Sequence, residues 1–421
     1  MERKLVFVIC IFALILRLGW VIHLRNTGLV FADSGSYDQL GTSLAQGKGY
    51  VDAEGNPTAM RSPGYPIFVG IIYWLFGEHN LFAVRIFQVI LGTLTCLFIF
   101  LIGKRVFNPQ VGLIGCFLAS WNPQFIFYSG YIMQEVFFTF IIILTLYFLC
   151  RINDGIKFIF LSGLFGGLSV LTKEVFILYF PLLFIGLMVV IKGRVLVKFK
   201  NTTLLFLIIG LMWSPWFIRN YFIYGSFITR GVFEHVCKGG DLWMHLWHGN
   251  NQYMGVDFEK ECWFIAKGSL EELVSIPPEE RKEYVKNKVL ELFFSDPWRI
   301  LKVQIIKLGR FFRLYPHKTK LLNELTQKTT DWVKIVSLLS DGWIIPLALI
   351  GFLLSLSLWR QHLLISLWIW SQAVGITIVY YPMIRYRFPV MPIIMLFAGY
   401  GLFFIWKSFL LKRIYRNKES L

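Results

Sequence analysis

The sequence predicts an all-α integral membrane protein with about ten transmembrane helices. Composition comes first: 56% of the 421 residues are hydrophobic and only 16% charged, with a mean hydropathy of +0.60, against roughly half apolar and a quarter charged in soluble domains. Second, apolar runs near 20 residues recur along most of the chain, each enough to cross ~30 Å of hydrocarbon. Third, those runs are too long and too uniformly apolar for barrel strands. A soluble enzyme, a disordered chain and a fibrous repeat are excluded.

The expected spans are 5–23, 80–102, 110–129, 132–150, 157–172, 175–191, 202–221, 339–357, 362–380 and 388–406. The first follows Arg3-Lys4 like a signal peptide, but it has no small-residue cleavage site and is long enough to span. The stretch from Tyr65 to Phe76 is apolar but only about a dozen residues, which predicts a half-buried or interfacial helix with Trp74 at headgroup level. Two polar outer segments remain, 24–79 and 222–338. The second contains helical stretches such as Ser269–Phe294, broken by Pro277-Pro278. In Trp298–Leu314, apolar Ile300, Leu301, Val303, Ile306 and Leu308 alternate with basic Arg299, Lys302, Lys307 and Arg310. That pattern predicts a basic amphipathic helix on the membrane surface. The expected organisation is a membrane domain over 1–406 carrying both outer loops, followed by a basic tail, 407–421.

Charge orients the chain. Of 42 Lys/Arg and 25 Asp/Glu, the N-terminus, the tail and the alternate short turns hold sixteen Lys/Arg and three acids; everything else holds 26 and 22. This positive-inside bias predicts cytoplasmic termini and an extracytoplasmic active site in the plasma or inner membrane. Short basic turns also explain the net charge of +17 without a nucleic-acid partner. Cys10, Cys96, Cys116 and Cys150 fall in spans or at their ends, where small-residue packing is expected. Cys237 and Cys262 share the outer loop and are candidates for a disulfide, or for two free thiols.

Four groups carry candidate chemistry. Asp33, in Phe31-Ala32-Asp33-Ser34-Gly35-Ser36-Tyr37, lies about ten residues past the first span. It suits a general base toward an acceptor hydroxyl or amine, or the N-cap of a helix. Glu135 opens an apolar helix at its outer end, as a functional acid or a partner of the helix dipole. Arg61, Lys173, Arg219, Arg385 and Arg387 are outer cations in places the positive-inside rule disfavours; a lipid phosphate would account for them, as would snorkelling to headgroups. The cluster Glu234, His235, Asp241, Trp243, His245, Trp247, His248, Asn250 and Asn251 reads as a sugar site or, less specifically, a metal site. No Walker A or Rossmann fingerprint is present, so a nucleotide-driven pump is not expected.

These pieces resemble the GT-C type of polyprenyl-phosphate-sugar glycosyltransferase, the superfamily of protein mannosyltransferases and aminoarabinose transferases. The resemblance runs from the first span to about residue 406. It rests on Asp33 with Tyr37 and Gly47-Lys48-Gly49-Tyr50; Arg61-Ser62-Pro63-Gly64-Tyr65-Pro66; Val84-Arg85-Ile86-Phe87-Gln88; Gln134-Glu135; Leu171-Thr172-Lys173; Pro215-Trp216-Phe217-Ile218-Arg219-Asn220-Tyr221; Gly249-Asn250-Asn251; and Arg385-Tyr386-Arg387-Phe388-Pro389.

The resemblance implies a GT-C architecture and an inverting transfer from a polyprenyl-phosphate-linked sugar donor to a lipid, glycan or protein acceptor. It puts Asp33 at the reaction centre as base and Glu135 as the second acid. Arg61, Arg219, Arg385 and Arg387 would hold the lipid phosphate, with Lys173 nearby. Tyr37, Tyr65, Trp243, His248 and Asn250 complete the expected substrate-binding set. Asp33-Ser34-Gly35 has no paired acids, so neither a metal nor another cofactor is expected. With no large C-terminal soluble domain in the 421 residues, the 222–338 loop is the expected cover on the acceptor side. A lipid-sugar transporter would use the same arginines without chemistry, and an O-antigen ligase or polymerase would take a pyrophosphate-linked donor.

Overall fold

The computed structural model describes residues 1–225, 241–257, 260–261, 264–314, 330–381 and 383–419. Among them the only β feature is an isolated bridge between Val51 and Pro57. The helices are α1 (Glu2–His23), α2 (Ala32–Ala45), α3 (Gly64–Phe76), α4 (Leu81–Val106), α5 (Pro109–Trp121), α6 (Pro123–Ser129), α7 (Gln134–Leu149), α8 (Ile156–Thr172), α9 (Phe180–Val190) and α10 (Val195–Tyr224). After them come α11 (Asp241–Asn250), α12 (Ser269–Val274), α13 (Arg281–Phe294), α14 (Pro297–Phe311), α15 (Thr330–Leu354), α16 (Trp359–Val379) and α17 (Met391–Glu419).

Six of these are long and apolar enough to cross a membrane, or seven if the bent pair α6–α7 counts as one span. The other expected spans fall on shorter apolar helices: α5, α8, and α9 with the turn before it. The expected span 110–129 is divided, because Asn122 caps α6 and Pro123 takes its first position, where a missing N–H costs nothing. The α6–α7 pair bends by 117°, which turns the start of α7 and Glu135 inward.

Breaking a helix inside a bundle exposes carbonyls that must find donors. Arg17 meets that need. Its guanidinium, fully buried in α1, donates to the Ala119 and Ser120 carbonyls at the end of α5, at 2.9 and 2.8 Å. Arg85 does the same for the end of α1, reaching Leu24 O at 2.7 Å and Thr27 O at 2.5 Å. Two intramembrane arginines of the kind a transporter's polar path would need are thus committed to helix ends.

Glu2, Lys104, Arg105, Arg151 and Asp154 form ion pairs at one end of the bundle. The Asp33 segment lies at the other, because α4 runs from His79 and Asn80 to Lys104 and Arg105 over ~39 Å. Close packing of α4 on α5 depends on Gly103, where a Cβ would come within 2.5 Å of the Gly112 Cα.

The 222–338 segment differs from its expected form in one respect. On α14 the buried face is Ile300, Val303, Lys307 and Phe311, so one of the basic residues points into protein rather than toward headgroups. Trp298, Leu301 and Ile305 stay exposed. Helix α3 follows expectation, burying Tyr65, Val69, Ile72 and Tyr73 while Trp74 is exposed. Cys10, Cys96, Cys116 and Cys150 are free thiols. Cys237 and Cys262, like Glu234 and His235, lie outside the described residues.

Candidate active site

Asp33 sits in the first turn of α2, whose N-cap is Phe31 and has no side-chain capping bond. The carboxylate is therefore not a cap. Its two oxygens accept from two arginines far apart in sequence: Oδ1 from Arg61 Nη2 and Oδ2 from Arg385 Nη1, both at 2.7 Å. Burial alone would raise this carboxyl, but the charges and hydrogen bonds of Arg61 and Arg385 outweigh it and hold the group below its usual range. The Asp33 side chain stays 22% exposed, and those of Arg61 and Arg385 10% and 32%.

Each arginine is set by its surroundings. Arg61 lies 5.3 Å from the Tyr37 ring centroid, and Tyr37 meets Tyr65 edge-on at 4.8 Å. Tyr65 donates to Gln88 Oε1 at 2.7 Å, and Gln88 donates to the Ser129 and Tyr131 carbonyls ahead of α7. Tyr50 OH donates to the Arg61 carbonyl at 2.8 Å, and Arg219 Nη2 to the Tyr50 carbonyl at 2.9 Å. Arg219 also faces the Tyr50 and Trp216 rings. It therefore braces the Arg61 loop from α10 instead of reaching Asp33.

Glu135 and Lys173 form the second half of the cluster. Both are almost completely buried, with Lys173 Nζ 3.9 Å from Glu135 Oε1 and 5.0 Å from the Tyr386 ring. Glu135 Oε2 is buried with no hydrogen-bond partner among the described residues. The Arg61 loop rests against the Lys173 turn through Gly64, where a Cβ would lie 2.5 Å from Thr172 Oγ1 and 3.0 Å from the Leu171 carbonyl. Ser62 Oγ adds a bond to Glu174 Oε2 at 3.1 Å.

Four expected site residues are not brought to this cluster. Arg387 is buried and donates to the Phe311 and Arg313 carbonyls, at 2.9 and 2.6 Å, and to Asp341 Oδ2 at 2.6 Å. It closes the end of α14 and has no free face for a lipid phosphate. His248 is buried against Ser269 Oγ at 2.7 Å, and burial pushes its imidazole down to about 4. Asn250 bridges α11 to the Ile378 carbonyl of α16 and accepts from Gln304 and Lys307. Trp243 packs at the margin of the apolar cluster around Met244 and Trp247. Among the described residues no group of three or more His, Cys, Asp or Glu could hold a metal ion.

Three buried acids, Asp38, Glu261 and Asp341, were missed in the sequence; the first lies nearest the site in sequence. Asp38, one turn beyond Ser34, accepts from Tyr73 OH at 2.5 Å and pairs with His79 Nδ1 at 2.9 Å. It ties α2 to α3. The i, i+5 spacing from Asp33 carries no motif that could have revealed it.

Residues 60–218 match the family model described as dolichyl-phosphate-mannose-protein mannosyltransferase. No curated protein sequence matches the chain. Among solved structures, the Archaeoglobus fulgidus oligosaccharyltransferase in its apo form aligns with a TM-score of 0.59 at 14% identity, over 99% of this chain and 52% of that one. The archaeal oligosaccharyltransferase AglB from Archaeoglobus fulgidus, in complex with an inhibitory peptide and a dolichol-phosphate, aligns at 0.57 and 14%, over 98% and 52%. ArnT from Cupriavidus metallidurans, bound to undecaprenyl phosphate, gives 0.46 and 15%, over 93% and 77%. The chain spans about half the length of the archaeal structures. The family match and the archaeal fold both bear out the GT-C resemblance read from the sequence.

Proposed function

We propose that this chain, a membrane glycosyltransferase of the GT-C type, moves a sugar from a polyprenyl-phosphate-linked donor to a lipid, glycan or protein acceptor at the extracytoplasmic face. The observation that carries this reading is the carboxylate of Asp33 held between Arg61 and Arg385. Two guanidiniums, one buried and one partly exposed, converging on one anion form a ready phosphate site, and a carboxylate beside it supplies the base.

As the anomeric C–O bond of the donor breaks, negative charge grows on the departing phosphate and positive charge on the sugar. Fixed arginines favour that separation. The acceptor oxygen or nitrogen forms the new bond from the opposite face, inverting the anomeric centre, and its proton passes to Asp33. A carboxylate clamped by two arginines is a weak base. When the donor phosphate takes over those guanidiniums, Asp33 regains basicity at the moment the acceptor arrives. In this reading the carboxylate keeps the phosphate site ordered until the donor displaces it.

Glu135 and Lys173 serve as the second acid and a positioning cation for the sugar or its phosphate, while Tyr37, Tyr65 and Arg219 position the Arg61 loop. An apolar crevice of about 450 Å³, lined by Leu308, Phe312, Pro346, Trp370, Ile394 and Phe397, supports a polyprenyl tail on the bilayer side.

Lipid and glycan mass spectrometry on cells lacking the protein, complemented with wild type or Asp33→Asn, tests the reading. Accumulation of a polyprenyl-phosphate sugar and loss of one sugar from a surface glycan, both uncorrected by a normally inserted Asp33→Asn, are expected. Full correction by Asp33→Asn would remove Asp33 from the chemistry.

A further inference from the structure

At the end of the bundle opposite Asp33 lies a cavity of about 500 Å³ whose lining includes Arg105, Asn153, Lys192, Lys198, Arg360 and Gln361, with no Asp or Glu among its lining residues. Four cations reach it from four separate segments: the end of α4, the turn after α9, the start of α10 and the start of α16. Their commitments differ. Arg105 is paired with Asp154 at 2.6 Å, and Lys198 Nζ donates to the Met188 carbonyl at 3.0 Å. Arg360 only faces its neighbour Trp359, at 5.3 Å. Among the described residues neither Lys192 nor Arg360 meets a carboxylate. Asn153 fixes the wall between them by accepting from Lys192 N at 2.9 Å and donating to the Val190 carbonyl at 3.1 Å.

A solvated basic face would spread such charges outward; here they line one concavity. The surroundings indicate the ligand. Val189, exposed and apolar, lines the cavity, and Ile185, Val195, Leu196 and Phe199 are exposed apolar residues near the end of α9 and the start of α10, the helices that carry it. A phosphate bearing acyl chains satisfies both features, since the cations take the phosphodiester and the exposed apolar residues meet the chains. We infer that this cavity is a binding site for the headgroup of an anionic phospholipid in the leaflet opposite the Asp33 site. It is independent of the sugar-transfer reading.

The test is a titration of the detergent-purified full chain with phosphatidylglycerol and with phosphatidylcholine of the same acyl chains, read by native mass spectrometry. Wild type is expected to prefer phosphatidylglycerol by at least tenfold. The double variant Lys192→Ala/Arg360→Ala should weaken its binding about 30-fold, at roughly fivefold per charge. Lys192→Arg/Arg360→Lys should restore it, which separates lost charge from lost folding. Arg3→Ala/Lys4→Ala removes two exposed cations from the same face outside the cavity and should leave binding unchanged. Equal loss in the cavity and N-terminal variants would mean diffuse surface attraction and overturn the site. Complete displacement by millimolar inorganic phosphate would overturn the lipid assignment in favour of a soluble phosphate ligand.

Discussion

Arg385 and Arg387 stand two positions apart in one turn, and each pairs with an aspartate, at 2.7 and 2.6 Å. They do opposite things. Arg387 is 1% exposed and its partner Asp341 not at all; its Nη1 donates to the Phe311 and Arg313 carbonyls at the end of α14, and Asp341 also accepts from Gln124 at 2.6 Å. Arg385 is 32% exposed, meets no carbonyl among the described residues, and shares Asp33 with Arg61. An arginine tied down by helix-end carbonyls is a fastener. One balanced only by a carboxylate can exchange that carboxylate for another anion. Arg17 and Arg85 belong with Arg387.

The largest effect should come from breaking the fastener. Arg387→Ala leaves the buried Asp341 carboxyl without its cation and two carbonyls unpaired, a loss of about 3–5 kcal/mol. Thermal unfolding of the detergent-purified chain should show it, with activity falling only as folded protein is lost. A near-normal unfolding temperature would show that water replaces the guanidinium there.

Asp33→Asn is the reciprocal case, with folding kept and chemistry lost. Turnover should fall by roughly 10²–10⁴-fold, the range for removing a general base. Arg385→Gln should come next, raising the donor KM by roughly 10–100-fold through the lost charged hydrogen bond. A fall in turnover without any change in KM would place Arg385 away from the donor.

The pH dependence should separate the sites further. The Asp33 carboxyl is held below its usual range, so its ion pairs stabilise the fold fully above ~4, the ordinary value, and that contribution disappears as pH falls through the lowered value. A kcat/KM profile should therefore show no acid limb from Asp33 above about pH 4.

Lys307 gives an effect confined to neutral and alkaline pH. It is buried beside Arg310 and Glu261, and donates to the Gly249 carbonyl at 2.7 Å. Burial, then the Arg310 charge, brings it down to about 7. Between there and ~10.4 the unfolded chain holds the proton and the folded one does not, so stability should rise across that window. Lys307→Met should flatten the rise; an unchanged slope would mean that Lys307 stays charged.

Much of the membrane layout was legible because hydrophobic runs need no partner to be read. The division of 110–129 was also within reach, since Asn122-Pro123 repeats the cap-and-proline start of Asn108-Pro109. The candidate site was legible as a set of outer cations and two acids. Which cation met which acid was not: the Asp33–Arg385 contact joins residues 352 positions apart. Nor could Arg387 be told from Arg385, because the carbonyls that occupy it come from α14. Lys307 was misjudged for the same reason. A basic residue on an amphipathic helix looks solvated until Gly249 and Asn250 are placed over it.

The most direct measurement is the binding of polyprenyl phosphate to the purified full chain in lipid nanodiscs, comparing wild type, Asp33→Asn and Arg385→Gln. If Asp33 keeps the phosphate site until the donor displaces it, Asp33→Asn should bind polyprenyl phosphate at least as tightly as wild type. Arg385→Gln should bind roughly tenfold more weakly or worse. Equal binding by Arg385→Gln and wild type, or loss of binding in a folded Asp33→Asn, would contradict it.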